Sequence, residues 1–218
     1  MQHQDIISKL AEEVRVRFDG EGSGHDWWHI FRVWQMAKRI GELEGADLFV
    51  VETGAILHDI ADWKFHAGDD RVGPRVAGEM LMAYEVSPPL IEAVQTIIKE
   101  VSFKGAGVKT LPSTLEGMIV QDADRLDAMG AIGIARAFTY GGHMNRVMYD
   151  PHQKPVLHQT KEAYATSQTH TINHFYEKLL LLKERMNTRA AKTIAEDRHA
   201  FMEEYLRRFF QEWEGSLL

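Results

Sequence analysis

The chain has 218 residues, of which 44% are hydrophobic and 26% charged, and this balance excludes a disordered or fibrous protein. A formal net charge of -7 disfavours nonspecific binding to nucleic acid polymers and to acidic membrane surfaces. The absence of cysteine excludes disulfide bonds, thiolate metal sites and cysteine nucleophiles.

The N-terminal residues MQHQDIISKL lack the basic start and the apolar stretch of a secretory signal. No uninterrupted apolar run reaches the roughly 18 residues needed to span a bilayer. We therefore expect a cytoplasmic protein without a membrane partner.

Apolar residues recur at helical spacing through most of the chain, which predicts an all-α fold. Beyond two N-terminal helices, the predicted helical stretches are 47–61, 73–85, 88–100 and 113–140, the last broken near Gly130, and two long helices between 160 and 213. No linker divides the chain, so we expect a single domain over residues 1–218, with a core at about 20–140 and C-terminal helices at about 158–214. The amphipathic C-terminal arm is compatible with a homodimer but does not establish one.

Two features mark boundaries between these helices. Ser113 and Glu116 have the spacing of a capping box, in which each side chain satisfies a backbone N–H at a helix start. Glycine and proline predict loops at 103–112 and 140–155.

His170 and His174 lie one turn apart on a late helix, without an acidic partner, and are expected to be exposed.

Three segments carry histidine or acidic residues onto apolar helix faces. His29 continues the apolar stripe of the second helix, His58 and Asp59 end a nearly uncharged segment, and Asp124 lies one turn after Val120. A buried carboxylate requires a cation, a metal ion or several donors as its partner. The pattern therefore predicts inward-facing metal ligands on three helices.

Two imidazoles and two carboxylates suit Zn, Mn, Fe, Co or Ni better than Mg or Ca. An octahedral ion with four protein donors would keep two positions for water and substrate, whereas a tetrahedral zinc site would be nearly closed. The adjacent His58 and Asp59 can reach one ion only if their helix is viewed nearly end-on or is locally distorted.

The phrases HDWWHIFRVW, ILHDIADWKF and QDADRLDAMGAIGIAR, in this order, resemble the HD-domain metal-dependent phosphohydrolase superfamily. They are most similar to a bacterial single-domain branch that includes nucleotide pyrophosphohydrolases, and the tail MNTRAAKTIAEDRHAFMEEYL is similar to that branch as well. The resemblance implies an HD-domain helical bundle with a C-terminal helical extension.

The resemblance also implies roles for particular residues. It makes His29, His58, Asp59 and Asp124 the ligands of one divalent metal ion. The candidate metals are Mn, Co, Ni, Fe, Mg and Zn. Asp62 takes the place of a general acid or base, where several relatives have glutamate. Only His66 lies between Asp59 and Asp124, so a second metal ion is not expected.

Basic side chains close to these positions are candidates for binding a phosphorylated substrate. They are His25, Arg32, Lys104 and Arg125, with Lys104 favoured because neighbouring glycines let backbone amides approach a phosphate. Asp127 is expected to orient a ligand or to pair with Arg125. Trp27, Trp28, Trp34 and Trp63 could stack on a base, although core packing fits their density better.

The predicted function is hydrolysis of a phosphoanhydride bond in nucleoside or deoxynucleoside triphosphates by metal-activated water. Two alternatives stay open: a non-catalytic HD protein that senses a nucleotide, and a hydrolase of another small phosphorylated metabolite. HDWWH imitates the HExxH motif of zinc peptidases, but aspartate replaces glutamate and this interpretation leaves His58 and Asp59 unexplained.

Overall fold

The computed structural model describes residues 2–20, 26–61, 69, 71–101, 110–157 and 169–216. The α-helices in these ranges are α1 (His3–Arg17), α2 (Trp27–Glu44), α3 (Leu48–Leu57), α4 (Val72–Ala83), α5 (Pro88–Val101), α6 (Leu115–Asp127), α7 (Gly130–His143), α8 (Thr171–Glu177) and α9 (Arg189–Trp213). Single 3₁₀ turns lie at Leu179–Leu181 and Lys183–Arg185. The described residues contain no strand, so the predicted all-α class is confirmed.

The described residues form two compact units. The first contains those up to Val101 and from Thr110 to Asp124, and the second contains those from Arg125 onwards, so the division falls within α6. The expectation of a single domain stays a prediction. Within the described ranges, no helix combines the length and apolar character needed to cross a bilayer.

Helix α3 is the centre of the first unit. Every residue from Phe49 to Leu57 is buried, and α3 contacts α1, α2 and α5, while α4 packs on α5. Its one charged side chain, Glu52, accepts a 2.7 Å hydrogen bond from Trp34 Nε1 and lies 3.7 Å from Lys38 Nζ. The nearly uncharged sequence is therefore explained by burial on all sides.

Aspartates cap the N-termini of α2 and α3, which pack against each other in this unit. Asp26 accepts a hydrogen bond from the backbone N–H of His29 at the start of α2, and Asp47 accepts from Phe49 and Val50 at the start of α3. Such caps satisfy backbone donors that have no partner within the helix.

The predicted capping box at the start of α6 is wrong. The cap is Thr114, whose hydroxyl accepts from the backbone N–H of Gly117 at 3.0 Å. Ser113 instead donates to Glu100, and Glu116 accepts from the backbone N–H of Asp47. Both partners are distant in sequence, so tertiary contacts override the local pattern.

The predicted break near Gly130 is confirmed, because α6 ends at Asp127 and α7 begins at Gly130. Gly130 has φ of 68°, a left-handed conformation that favours glycine. The two units thus each contain part of the 113–140 stretch.

In the second unit, α7 packs against α8 and α9. The prediction of two long helices is wrong for the described residues: the seven-residue α8 is followed by the two 3₁₀ turns, and only α9, with 25 residues, is long. His170 is also not exposed as predicted. It is 2% exposed and caps α8, with Nδ1 accepting from the backbone N–H of Asn173.

Candidate metal centre

His29 occupies the first turn of α2, where Asp26 holds its backbone N–H at 2.8 Å. The side chain is buried to 1% exposure on the face that Val33 and Ile40 continue into the core. The predicted inward orientation of His29 is therefore present. The helix cap fixes the backbone that carries this imidazole.

His58 and Asp59 lie where α3 ends. The helix stops at Leu57, and the backbone N–H of Ile60 donates to the Leu57 carbonyl three residues earlier, a tightened turn. This is the local distortion expected for adjacent residues that face one point. His58 Nδ1 lies 2.8 Å from the Ala55 carbonyl, which can only accept, so Nδ1 carries the proton and Nε2 faces His29.

Asp124 approaches the same point from α6. Its Oδ1 lies 3.5 Å from His29 Nε2 and 4.0 Å from His58 Nε2. On the other side, Asp59 Oδ2 lies 3.5 Å from His29 Nε2 and 3.4 Å from His58 Nε2. Side chains separated by up to 95 positions in the sequence thus converge within the first unit.

These separations fit a shared metal ion. Donor atoms bound at about 2.1 Å are roughly 3.0 Å apart at right angles and roughly 3.4 Å apart at the tetrahedral angle. The two Nε2 atoms are 3.2 Å apart, and His29, His58 and Asp59 form a donor group within 4.8 Å. Their assignment as ligands, with Asp124, remains a prediction.

Exposure differs between the two kinds of donor. The imidazole side chains are each 1% exposed, whereas Asp59 retains 17% and Asp124 30%. The centre is thus closed on the histidine side and reachable by solvent on the carboxylate side. A small molecule could therefore reach the donor atoms from the carboxylate side.

The charge balance of the centre favours a cation. Burial lowers the pKa of His58, but the carboxylates of Asp59 and Asp124 and the hydrogen bond to Ala55 outweigh it and raise that pKa to about 9. A positive charge between these carboxylates is therefore stabilised. A proton and a divalent ion both meet this need.

Within its described residues, the structure does not place the predicted substrate-binding and catalytic residues among the donor atoms of the centre. Arg32 is half-buried on α2, one turn after His29. Arg125 belongs to the second unit, where its buried guanidinium donates to the Arg185 carbonyl. His25, Asp62 and Lys104 lie outside the described residues, as do His66 and Trp63.

Two groups that position the donors are not among the residues predicted from the sequence. Asp26 lies three residues before His29, which is the spacing of a helix cap, so its role had a signal in the sequence. The Ala55 carbonyl, which orients His58, has no side-chain signal at all. Asp127 pairs with Arg136 at 3.0 Å, a partner that the sequence did not indicate.

Comparison with known proteins finds an HD domain and relatives that are similar over nearly the whole chain. The model of the HD domain family matches residues 27–129. The uncharacterized protein YpgQ of Bacillus subtilis is 40% identical over 212 residues, which cover 95% of each chain. Its structure in complex with ADP has a TM-score of 0.74 at 36% identity and covers 95% of this chain and 96% of that one.

Two further solved structures are similar over almost the whole length. One, from Lactobacillus plantarum, has a TM-score of 0.87 at 37% identity and covers 99% of this chain and all of its own. The other, described as an HD-superfamily hydrolase from Bacillus thuringiensis, has a TM-score of 0.76 at 40% identity, with coverages of 98% and 99%.

Proposed function

This chain belongs to the HD-domain family, and on that premise we propose that it is a metal-dependent phosphohydrolase acting on nucleotides. The observation that carries the proposal is the pair of imidazole nitrogens 3.2 Å apart with partly exposed carboxylates beside them. We infer hydrolysis of nucleoside or deoxynucleoside triphosphates at a phosphoanhydride bond, in a cytoplasmic protein.

His29, His58, Asp59 and Asp124 would hold one divalent ion. Their mixed nitrogen and oxygen donors suit Mn, Fe, Co, Ni or Zn, and Mg less well. An ion bound there would neutralise phosphate oxygens and acidify a water molecule. The Ala55 carbonyl keeps the His58 ring in the tautomer whose Nε2 lone pair faces the ion.

The protein's own side chains would complete the reaction. Asp62, four positions after His58, would accept the proton of the attacking water or return a proton to the leaving oxygen. Cationic side chains would bind the remaining phosphate oxygens, with Arg32 on α2 and Lys104 and His25 outside the described residues as candidates.

The ADP complex of YpgQ supports a nucleotide as the substrate class. The two proteins are similar over nearly their whole length, so a binding site for one ligand class could be shared. A nucleotide also meets the physical need of the centre, since its phosphates offer anionic oxygens to a cation.

The test is a panel of nucleoside mono-, di- and triphosphates assayed with the metal-free full chain plus Mn, Co, Ni, Mg or Zn. We expect triphosphate hydrolysis that requires added metal and is lost on chelation. Product analysis decides the bond: pyrophosphate release indicates attack at the α-phosphorus, and orthophosphate release indicates stepwise removal. A protein that binds nucleotides with metal but hydrolyses none of them would contradict the proposal and favour a sensor.

A further inference from the structure

Trp28 is not the core residue that the sequence analysis favoured. Its side chain is 61% exposed, although it lies in the first turn of α2 directly before His29. Trp27 and Trp34 on the same helix are only partly exposed, and Trp34 Nε1 donates to Glu52. Packing therefore accounts for the other two indoles but leaves most of Trp28 in solvent.

The exposed indole contacts one neighbouring ring, which itself packs against two others. Trp28 meets Phe31 edge to face, with centroids 6.0 Å apart, and Phe31 contacts Trp27 and Trp34 at 6.1 Å each. Side chains with few rotatable bonds that make such contacts lose little freedom when a ligand binds. The ring is thus prepared as a binding surface.

The position of Trp28 relates it to the candidate metal centre. Trp28 and Arg32 are four residues apart and lie on one strip of α2, adjacent to the strip that carries His29. Along the helix axis the order is Trp28, His29, Arg32, over about 6 Å at a rise of 1.5 Å per residue. A nucleotide likewise separates an aromatic base from its charged phosphates.

We propose that Trp28 is the residue on which the base of the nucleotide stacks. An indole face accepts any base, so Trp28 would contribute affinity for nucleotides over base-free polyphosphates without selecting one base. The inference rests on the proposed nucleotide specificity and assigns its recognition to the exposed ring, with Arg32 nearer the phosphates.

Calorimetric titration of the Mn²⁺-loaded full chain with ADP and with inorganic pyrophosphate tests this role. Trp28→Ala should weaken ADP binding about tenfold, equivalent to about 1.4 kcal/mol, and leave pyrophosphate binding unchanged. Trp28→Phe should restore most of the ADP affinity, because it keeps an aromatic face. Trp213→Ala, which removes a 51% exposed tryptophan of the second unit, is the matched control and should change neither.

The outcomes separate this inference from the proposed function. Unchanged ADP binding in Trp28→Ala, or an equal loss for ADP and pyrophosphate, would overturn the stacking role. Absence of ADP binding to the wild-type chain would overturn it too. If ADP binds through Trp28 but no triphosphate is hydrolysed, the stacking role stands and the hydrolase proposal fails.

Discussion

At the scale of single residues, the candidate centre combines buried nitrogen donors with exposed oxygen donors. His29 and His58 are enclosed by the core, while Asp59 and Asp124 remain partly in solvent. In the proposed metal centre, the buried side would fix the ion and the exposed side would leave room for a ligand. Substitutions on the two sides should have different consequences for folding.

Asp124→Ala should remove metal retention and hydrolysis together. Loss of a direct ligand should cost at least the roughly 100-fold caused by removing an outer partner of a ligand. Metal content of the purified protein and turnover with added metal measure the effect. Asp5→Ala, which removes an exposed aspartate of α1, should change neither; full turnover by Asp124→Ala would remove this residue from the centre.

Asp62→Ala should retain the metal ion and lose turnover by about 10²- to 10⁴-fold, as expected for a general acid or base. Asp62→Glu should recover part of the rate, because it restores a carboxylate. Asp69→Ala is the control, since Asp69 forms an exposed pair with Arg71. Equal turnover in Asp62→Ala and wild type would assign proton transfer to another group.

Helical periodicity predicted which side chains face inward but not what covers them. His29 continues a buried stripe and is buried, whereas Trp28 is exposed and His170 is buried, both against expectation. For His170 the reason is the α8 cap, together with its Nε2 contact to the Gln153 carbonyl at 3.2 Å. Such partners come from the fold and leave no local spacing signal.

At the scale of elements, the end of α3 is the feature that lets His58 and Asp59 direct their side chains to one point. In a continuing helix, adjacent residues diverge by about 100° around the axis. Here the helix ends at Leu57, so His58 and Asp59 approach a common point. The adjacency of His58 and Asp59 in the sequence predicted such a helix end or distortion, because adjacent residues of a regular helix cannot both face one ion.

Gly133 of α7 should be intolerant of a side chain. A Cβ there would lie 2.3 Å from the backbone carbon and oxygen of Ala128, atoms that cannot move aside without shifting the α6–α7 turn. Gly133→Ala should therefore lower the free energy of unfolding by about 3 kcal/mol. Denaturant unfolding followed by circular dichroism measures the change.

Gly142 of the same helix is the matched control. A Cβ at this position would have no neighbour within 4 Å, and alanine is a better helix former than glycine. Gly142→Ala should leave stability unchanged or raise it by up to about 1 kcal/mol. Equal stabilities for the two variants would show that the turn before α7 adapts.

Helix boundaries were predictable where packing and local signals agree. The observed α5, Pro88–Val101, differs by one residue from the predicted 88–100. The C-terminal region differs more, because two 3₁₀ turns interrupt the described chain between α8 and α9. Leu179 and Leu182 are buried there. The apolar run in the sequence therefore reflects burial at short 3₁₀ turns and not a long helix.

At the scale of the whole molecule, the family resemblance is confirmed although the substrate is not established by it. The three phrases that carried the resemblance lie in or next to the matched range 27–129, and relatives align over nearly the full length. The fold class and the convergence of side chains from three distant segments followed from the sequence. The division of the described chain into two units did not, since no linker composition marks it.

Acid should destabilise the second unit through His174. Burial, with the positive charges of Lys178 and Arg146, lowers the pKa of this half-buried histidine to about 3. The unfolded chain binds the proton near pH 6.5, so stability falls as pH drops from about 6.5 towards 3. Between pH 7 and 5 this contribution is at most about 2 kcal/mol.

Urea unfolding at pH 7 and pH 5 measures this effect. His174→Gln should lose less stability on acidification than the wild type, because the group that must stay neutral is gone. His152→Gln removes an exposed histidine and should behave as the wild type does. A wild-type and a His174→Gln chain with the same acid sensitivity would show that other groups determine it.

A hydrogen bond from α9 at the end of α6 limits how far the protein can be shortened. The Leu126 carbonyl accepts a hydrogen bond from the Arg198 guanidinium of α9, within the second unit. A fragment trimmed to the family match at residue 129 would keep Asp124 but lose the side chain that closes its helix. Minimal versions for engineering should therefore retain α9.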